Sequence, residues 1–133
     1  MSGLYDGGRE GILNDEIELS RANVMVMLVK AGYGFSASHK FVSDLAASDN
    51  GRSGPLTGKT FSFGAFGASP ITLKALSASV CVGLVLFAST GNDRTSRLIA
   101  FINTPAIGLP FTSQDGQEVR IEWDQSTNKI FRI

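Results

Sequence analysis

The sequence predicts an all-β domain, a sandwich or barrel of about seven strands with a short N-terminal helix. Three observations carry this. VCVGLVLFA at 80–88 and LIAFI at 98–102 are apolar runs bounded by turn residues, and they are short enough to be strands buried in a sheet core. EVRIEWD at 118–124 alternates, with Val119, Ile121 and Trp123 on one side and Arg120, Glu122 and Asp124 on the other, the period of a half-buried strand. Turn-forming residues recur between such runs along the chain.

Each element follows from its residues. LYDGGREGIL at 4–13 reads as a helix, with Leu4, Ile12 and Leu13 roughly on one face and Arg9 and Glu10 opposite. Gly7, Gly8 and Gly11 each weaken an isolated helix by up to about 1 kcal/mol relative to Ala, so it forms only when docked. The helical segment is placed at 1–16 and the β-core at 23–133 of a single domain. NVMVMLVK at 23–30 is apolar on both faces and so reads as a central strand. AGYGFSASH at 31–39 is a loop carrying Tyr33 and Phe35. Phe41 and Leu45, four apart, allow one or two helical turns. SDNGRSGP at 48–55 is rich in turn-formers and reads as the most exposed stretch.

LTGKTFSFGAF at 56–66 alternates aromatic and small residues, predicting one half-buried strand with a bulge or bend at Gly64 and Gly67. ITLKAL at 71–76 alternates as a further strand. The two apolar runs at 80–88 and 98–102 are joined by STGNDRTSR, a hairpin connection in which Gly91 and Asn92 suit positive φ. NTPAIGLPF at 103–111 holds two prolines and is excluded from a central strand. Asp-Gly at 115–116 marks a turn, and STN at 126–128 closes a hairpin onto a last strand, KIFRI. The core positions are expected to be Val24, Val26, Leu28, Val82, Leu84, Leu86, Leu98, Ile99, Phe101, Ile121 and Trp123.

Composition narrows the function. A chain of 133 residues buries roughly two-thirds of its unfolded surface as one domain. Twelve basic and twelve acidic residues cancel, which leaves no electrostatic footprint for nucleic acid and favours self-association. The single cysteine, Cys81, lies in an apolar run and reads as a small buried hydrophobe. The N-terminus lacks a signal-peptide pattern, and the longest apolar run falls short of the roughly 20 residues that span a bilayer. A soluble protein made in a reducing cytoplasm is expected.

The chemistry-bearing residues are sparse. His39 is the only histidine, and Ser38, His39 and Asp44 suit turn or capping roles better than a triad. One histidine and one cysteine do not make a structural zinc site. Asp15, Glu16 and Glu18 lack the alternating pattern of a calcium loop and read as a solvated lead into the first strand. GPLTGKT at 54–60 has three residues between its glycines, one too few for a phosphate loop, and is followed by a strand-like segment rather than a helix. Arg120, Glu122 and Asp124 form a solvated strand face or an interface rim. No catalytic, metal or cofactor residues are assigned.

Several segments, in order over nearly the full chain, carry a resemblance: LYDGGREGIL, SASHKFVSDL, GPLTGKTFSFGAF, TSRLIAFINT and IEWDQSTNKIFRI. They are similar to a family of small structural proteins of tailed bacteriophages. The resemblance implies a non-enzymatic virion component, foremost a capsid decoration (cement) protein bound to the major capsid shell, with a neck, tail or baseplate part as the rival. It implies virion proteins and further copies of the chain as partners, with neither nucleic acid nor membrane, and residence in the virion after synthesis in the host cytoplasm. The expected interface set is Leu4, Tyr5, Arg9, Ile12, Leu13, Tyr33 and Phe35. A carbohydrate- or receptor-binding module, using Tyr33, Phe35 and Trp123 as stacking platforms, is the alternative from another class.

Overall fold

The computed structural model describes residues 3–103, 111–123 and 129–132. The chain is all-β. In order it forms β1 (Gly3–Leu4), α1 (Asp6–Leu13), β2 (Val24–Lys30), a 3-10 helix (Val42–Ser48), β3 (Asp49–Arg52), β4 (Thr60–Ser62), β5 (Ala65–Gly67), β6 (Ile71–Lys74), β7 (Ser79–Ala88), β8 (Arg97–Ile102), β9 (Phe111–Ser113), β10 (Glu118–Ile121) and β11 (Phe131–Arg132). The main sheet runs β1-β8-β7-β2-β3, with β9 also on β7; β10 pairs with β6, and β11-β5-β4 form a third small sheet. All the pairings are antiparallel.

The spine is β7. It pairs with β2 from Val24↔Ala88 to Lys30↔Cys81 and with β8 from Ala88↔Arg97 to Leu84↔Ile102. β9 continues the line of β8 along β7, at Cys81↔Phe111 to Ser79↔Ser113. Strands with sheet partners on both sides and cover on both faces need apolar residues at every position. That is why β2 and β7 lack alternation.

The two faces bury separate cores. Val24, Val26, Leu28, Leu84, Leu86 and Ile99 pack with Phe66, Leu73 and Ile121 from the small sheets and with Trp123 just beyond β10. On the other face Met27, Val29, Val85, Phe87, Leu98 and Phe101 pack with Tyr5, Val42 and Leu45. Each buried side chain of this size contributes about 1.5–3 kcal/mol over its exposed state. The Trp123 indole N–H donates to Ser69 O at 3.2 Å, so this residue is internal and does not serve as a sugar platform.

The expected core is observed with one correction. Val82 is only half-buried, because it lies toward the end of β7 where Val80 is already exposed at 46%. Four element readings also change. Residues 48–55 are not an exposed stretch: they hold β3, with Asn50 fully buried and Ser53 nearly so. Asn50 is tolerated inside because its amide is satisfied, donating to Ser113 Oγ at 3.1 Å and accepting from Ser77 N–H at 3.0 Å. The aromatic alternation at 56–66 is no single strand but splits into β4 and β5, joined by a tight turn. β10 does not pair with the last strand; it pairs with β6, while β11 joins β5. Short pairings of two to four residues raise the strand count from about seven to eleven among the described residues. The expected turn at 126–128 and most of the proline segment at 103–111 lie outside the described residues.

The N-terminal segment starts as a strand, not a helix. β1 pairs with β8, and Tyr5 N–H donates to Ile99 O at 3.0 Å before α1 begins. The buried face of α1 is its glycines, Gly7, Gly8 and Gly11. A Cβ on Gly8 would meet the carbonyl oxygens of Leu98 and Ile99 at 2.8 Å. The glycines that weaken the isolated helix therefore let it lie against the backbone of β8.

Candidate functional site

The most unusual local chemistry among the described residues is the β4–β5 hairpin. Ser62 faces Ala65 across a two-residue turn. Phe63 and Gly64 have φ of 53° and 76°, both positive, as a type I′ turn requires. Glycine adopts that geometry freely; a bulky aromatic rarely does, and such strain costs on the order of 1–3 kcal/mol. Packing does not compensate, because Phe63 is 89% exposed, and Phe61 on β4 is 52% exposed.

The hairpin is firmly seated. Phe61 lies 5.4 Å from the Phe66 ring, which lies 5.3 Å from Phe131 at the edge of the core. Lys59 at the hairpin base donates through Nζ to the carbonyls of Leu19 and Ala22 at 2.8 and 2.6 Å. Desolvation by burial holds its amine below the usual lysine range. Leu19, Phe61, Phe63, Phe66 and Phe131 line an open groove of about 310 Å³. All three residues of β4 are exposed and none is charged or proline, so this sheet edge lacks the usual guards against further pairing. An apolar groove, a raised aromatic and an unguarded edge together suit recognition of another protein surface.

The residues expected from sequence do not make one surface. Tyr5 is fully buried and is corrected from interface to core. Tyr33 and Phe35 are partly buried, their rings 5.6 and 5.4 Å from Phe101, and Phe35 lies 5.1 Å from Tyr5. Leu4 and Ile12 pack partly against the first core. Leu13 is 82% exposed, and Arg9 is exposed beside Asp6 at 4.0 Å. The structure thus gathers Tyr5, Tyr33 and Phe35 beneath a loop and leaves Arg9 and Leu13 on α1. Sequence reading missed Phe63 because it fits the strand alternation; the Phe-Gly pair ahead of Ala65 is the signal that marks the turn.

The other chemical candidates have structural roles. Asp44 Oδ2 accepts the N–H groups of Lys40 and Phe41 at 2.9 and 3.1 Å, and these bonds hold its carboxyl below the usual range. Ser38 Oγ bonds to Ser36 Oγ at 2.8 Å, and His39 Nδ1 to Tyr33 OH at 2.9 Å. Ser38, His39 and Asp44 thus engage different partners. The lysine of GPLTGKT is the internal clamp Lys59. Glu16 pairs with Arg97 at 2.8 Å, and Glu18 with Arg21 at 3.5 Å. Asp15 stands at φ 65° in the turn after α1. Arg120 and Glu122 pair at 3.2 Å on the solvent face of β10. In the hairpin between β7 and β8, Gly91 takes the positive φ at 85°, while Asn92 works through its side chain, accepting Arg94 N–H at 3.0 Å. Among the described residues no three His, Cys, Asp or Glu side chains converge as metal ligands, and no helix is long and apolar enough to cross a membrane.

Comparison with protein-family models, with curated proteins and with solved structures gives no match to this chain.

Proposed function

We propose that this protein is a non-enzymatic structural component of a bacteriophage virion, a capsid decoration protein that binds the assembled major capsid shell. It is made in the host cytoplasm and resides in the particle. The observation that carries this reading is the β4–β5 hairpin, where a strained, exposed Phe63 and the neighbouring Phe61 project from a domain with two filled cores. Strain in an exposed aromatic is retained where another surface uses it. Phe61, Phe63 and the groove beside Leu19 supply the apolar anchor of such a contact. Repetition over a symmetric shell turns a modest contact into firm attachment.

The test is co-sedimentation of purified protein with shells that lack it. The wild type is expected to pellet with shells in proportion to the major capsid protein. Phe63→Ala is expected to lose at least about tenfold in affinity while remaining folded, the effect of removing one central aromatic anchor. Absence of pelleting by the folded wild type would refute the assignment. Unchanged binding by Phe63→Ala would remove the hairpin from it. The rival place in the neck, tail or baseplate predicts far fewer copies per particle.

A further inference from the structure

We propose that the outer edge of β4 pairs with the β4 of a second copy of this chain, Phe61 against Phe61, in a weak two-fold dimer. The inference does not rest on the function proposed above. β4 is the last strand of its sheet, in the order β11-β5-β4. The two-residue turn at Phe63 and Gly64 makes Ser62 and Ala65 the closing hydrogen-bonded pair. Bonded and non-bonded pairs alternate along an antiparallel ladder. Thr60 and Ser62 therefore turn their backbone groups to β5, and Phe61 turns its N–H and C=O outward. Among the described residues no other segment bonds to Phe61 from that side.

Self-pairing follows from this one residue. Two antiparallel strands with Phe61 on the two-fold axis exchange both N–H···O=C bonds between the two Phe61 residues, as an isologous contact requires. The sheet then runs unbroken through β11-β5-β4 and the same strands of the second copy. Phe61 lies 5.4 Å from Phe66, and Phe66 lies 5.3 Å from Phe131, so their row of rings continues across the axis. Phe63 comes opposite Lys59 of the second copy. The Lys59 amine bonds the Leu19 carbonyl, and Leu19 lines the apolar groove, so the exposed Phe63 ring gains an apolar neighbour.

Charge permits the contact. Residues 60–67 carry none. Lys59, the cation at the end of β4, is held back by the carbonyls of Leu19 and Ala22, so it does not guard the edge as lysine usually does. Twelve acidic and twelve basic residues leave no net repulsion between copies. Area sets the strength. Phe61 and Phe63 are 52% and 89% exposed, and covering them in both copies removes on the order of 500 Å² from water. A stable complex buries about 1,200–2,000 Å². The dimer therefore forms at high concentration and dissociates on dilution. Pairing covers the rings that the shell contact proposed above uses, so shells compete with it.

The experiment is sedimentation velocity and amide NMR on the full chain between about 10 μM and about 1 mM, the range in which so small an interface associates. The wild type is expected to be monomeric at the lower limit and at least about half dimeric at the upper, with amide shifts concentrated at 59–63. Phe61→Lys and Phe61→Glu are each expected to stay monomeric throughout, because like charges meet at the axis. An equimolar mixture of the two is expected to associate more than either alone. Amide spectra check that both variants are folded; should either fail to fold, the wild-type titration alone decides. A wild type that stays monomeric at about 1 mM overturns the proposal. So do shifts confined to another surface, or a mixture of folded variants that associates no more than its components. Protection of the Phe61 amide by shells in such a monomeric chain assigns the edge to a strand of the shell protein instead. Dimerisation without shell binding supports the pairing and refutes only the function proposed above.

Discussion

Stability at single positions in this molecule depends on how closely backbone and side chain approach, more than on how apolar a residue is. Leu84 is fully buried at the centre of β7, and Leu84→Ala is expected to cost about 2–5 kcal/mol, the transfer loss plus the cavity it leaves. Gly8→Ala adds only a methyl, yet that methyl meets two carbonyl oxygens at 2.8 Å. It is expected to cost about 1–3 kcal/mol through overpacking against rigid backbone. Urea denaturation of both variants measures these shifts. Near-wild-type midpoints for Gly8→Ala would mean that α1 rides free of β8. Asn50 makes the complementary point. Composition marks it as a turn residue, and only the partners at Ser77 and Ser113 make it a core residue.

Among the elements, the β4–β5 hairpin and the 3-10 helix give opposite predictions. Phe63→Asn places Asn-Gly, the preferred type I′ pair, where the backbone is already left-handed. It is expected to stabilise the domain by about 1 kcal/mol through relief of strain, raising the urea midpoint, while weakening attachment to shells. A lower midpoint would show that the Phe63 ring contributes packing. Asp44 is held ionised by the N–H groups at the start of the 3-10 helix. Its folded-state value is lowered, so its contribution is present above the unfolded aspartate range and is lost as pH falls below about 4. Asp44→Asn is expected to flatten that acid limb of a pH-stability profile; an unchanged limb would assign it elsewhere. These elements also show what sequence makes legible. β2, β7 and β8 are readable because burial on both faces demands unbroken apolar runs. β3 is not, because its inward residues, Asn50 and Gly51, are accepted only through partners distant in sequence. The hairpin is half-legible: the glycines mark a bend, but alternation hides which Phe occupies it. The aromatics Tyr5, Tyr33 and Phe35 are legible as a set, but their packing against Phe101, far along the chain, is not.

At the scale of the whole molecule, the N-terminal segment belongs to the domain. β1 and Tyr5 bond to the outer edge of β8, and α1 lies against that strand. Deleting residues 1–13 is therefore expected to abolish cooperative thermal unfolding, since it strips one sheet edge and uncovers the second core. A truncated chain that melts as the wild type does would restore this segment as a free interaction arm. With both faces of the main sheet covered, the exposed Phe61 and Phe63 remain the principal aromatic surface among the described residues. The central claim, that this surface fastens the protein to a virion shell, is tested most directly by quantitative mass spectrometry of purified particles. The account predicts this chain in a fixed, high ratio to the major capsid protein, falling sharply in particles assembled with Phe63→Ala. Particles that are complete and infectious yet contain none of it would contradict the account.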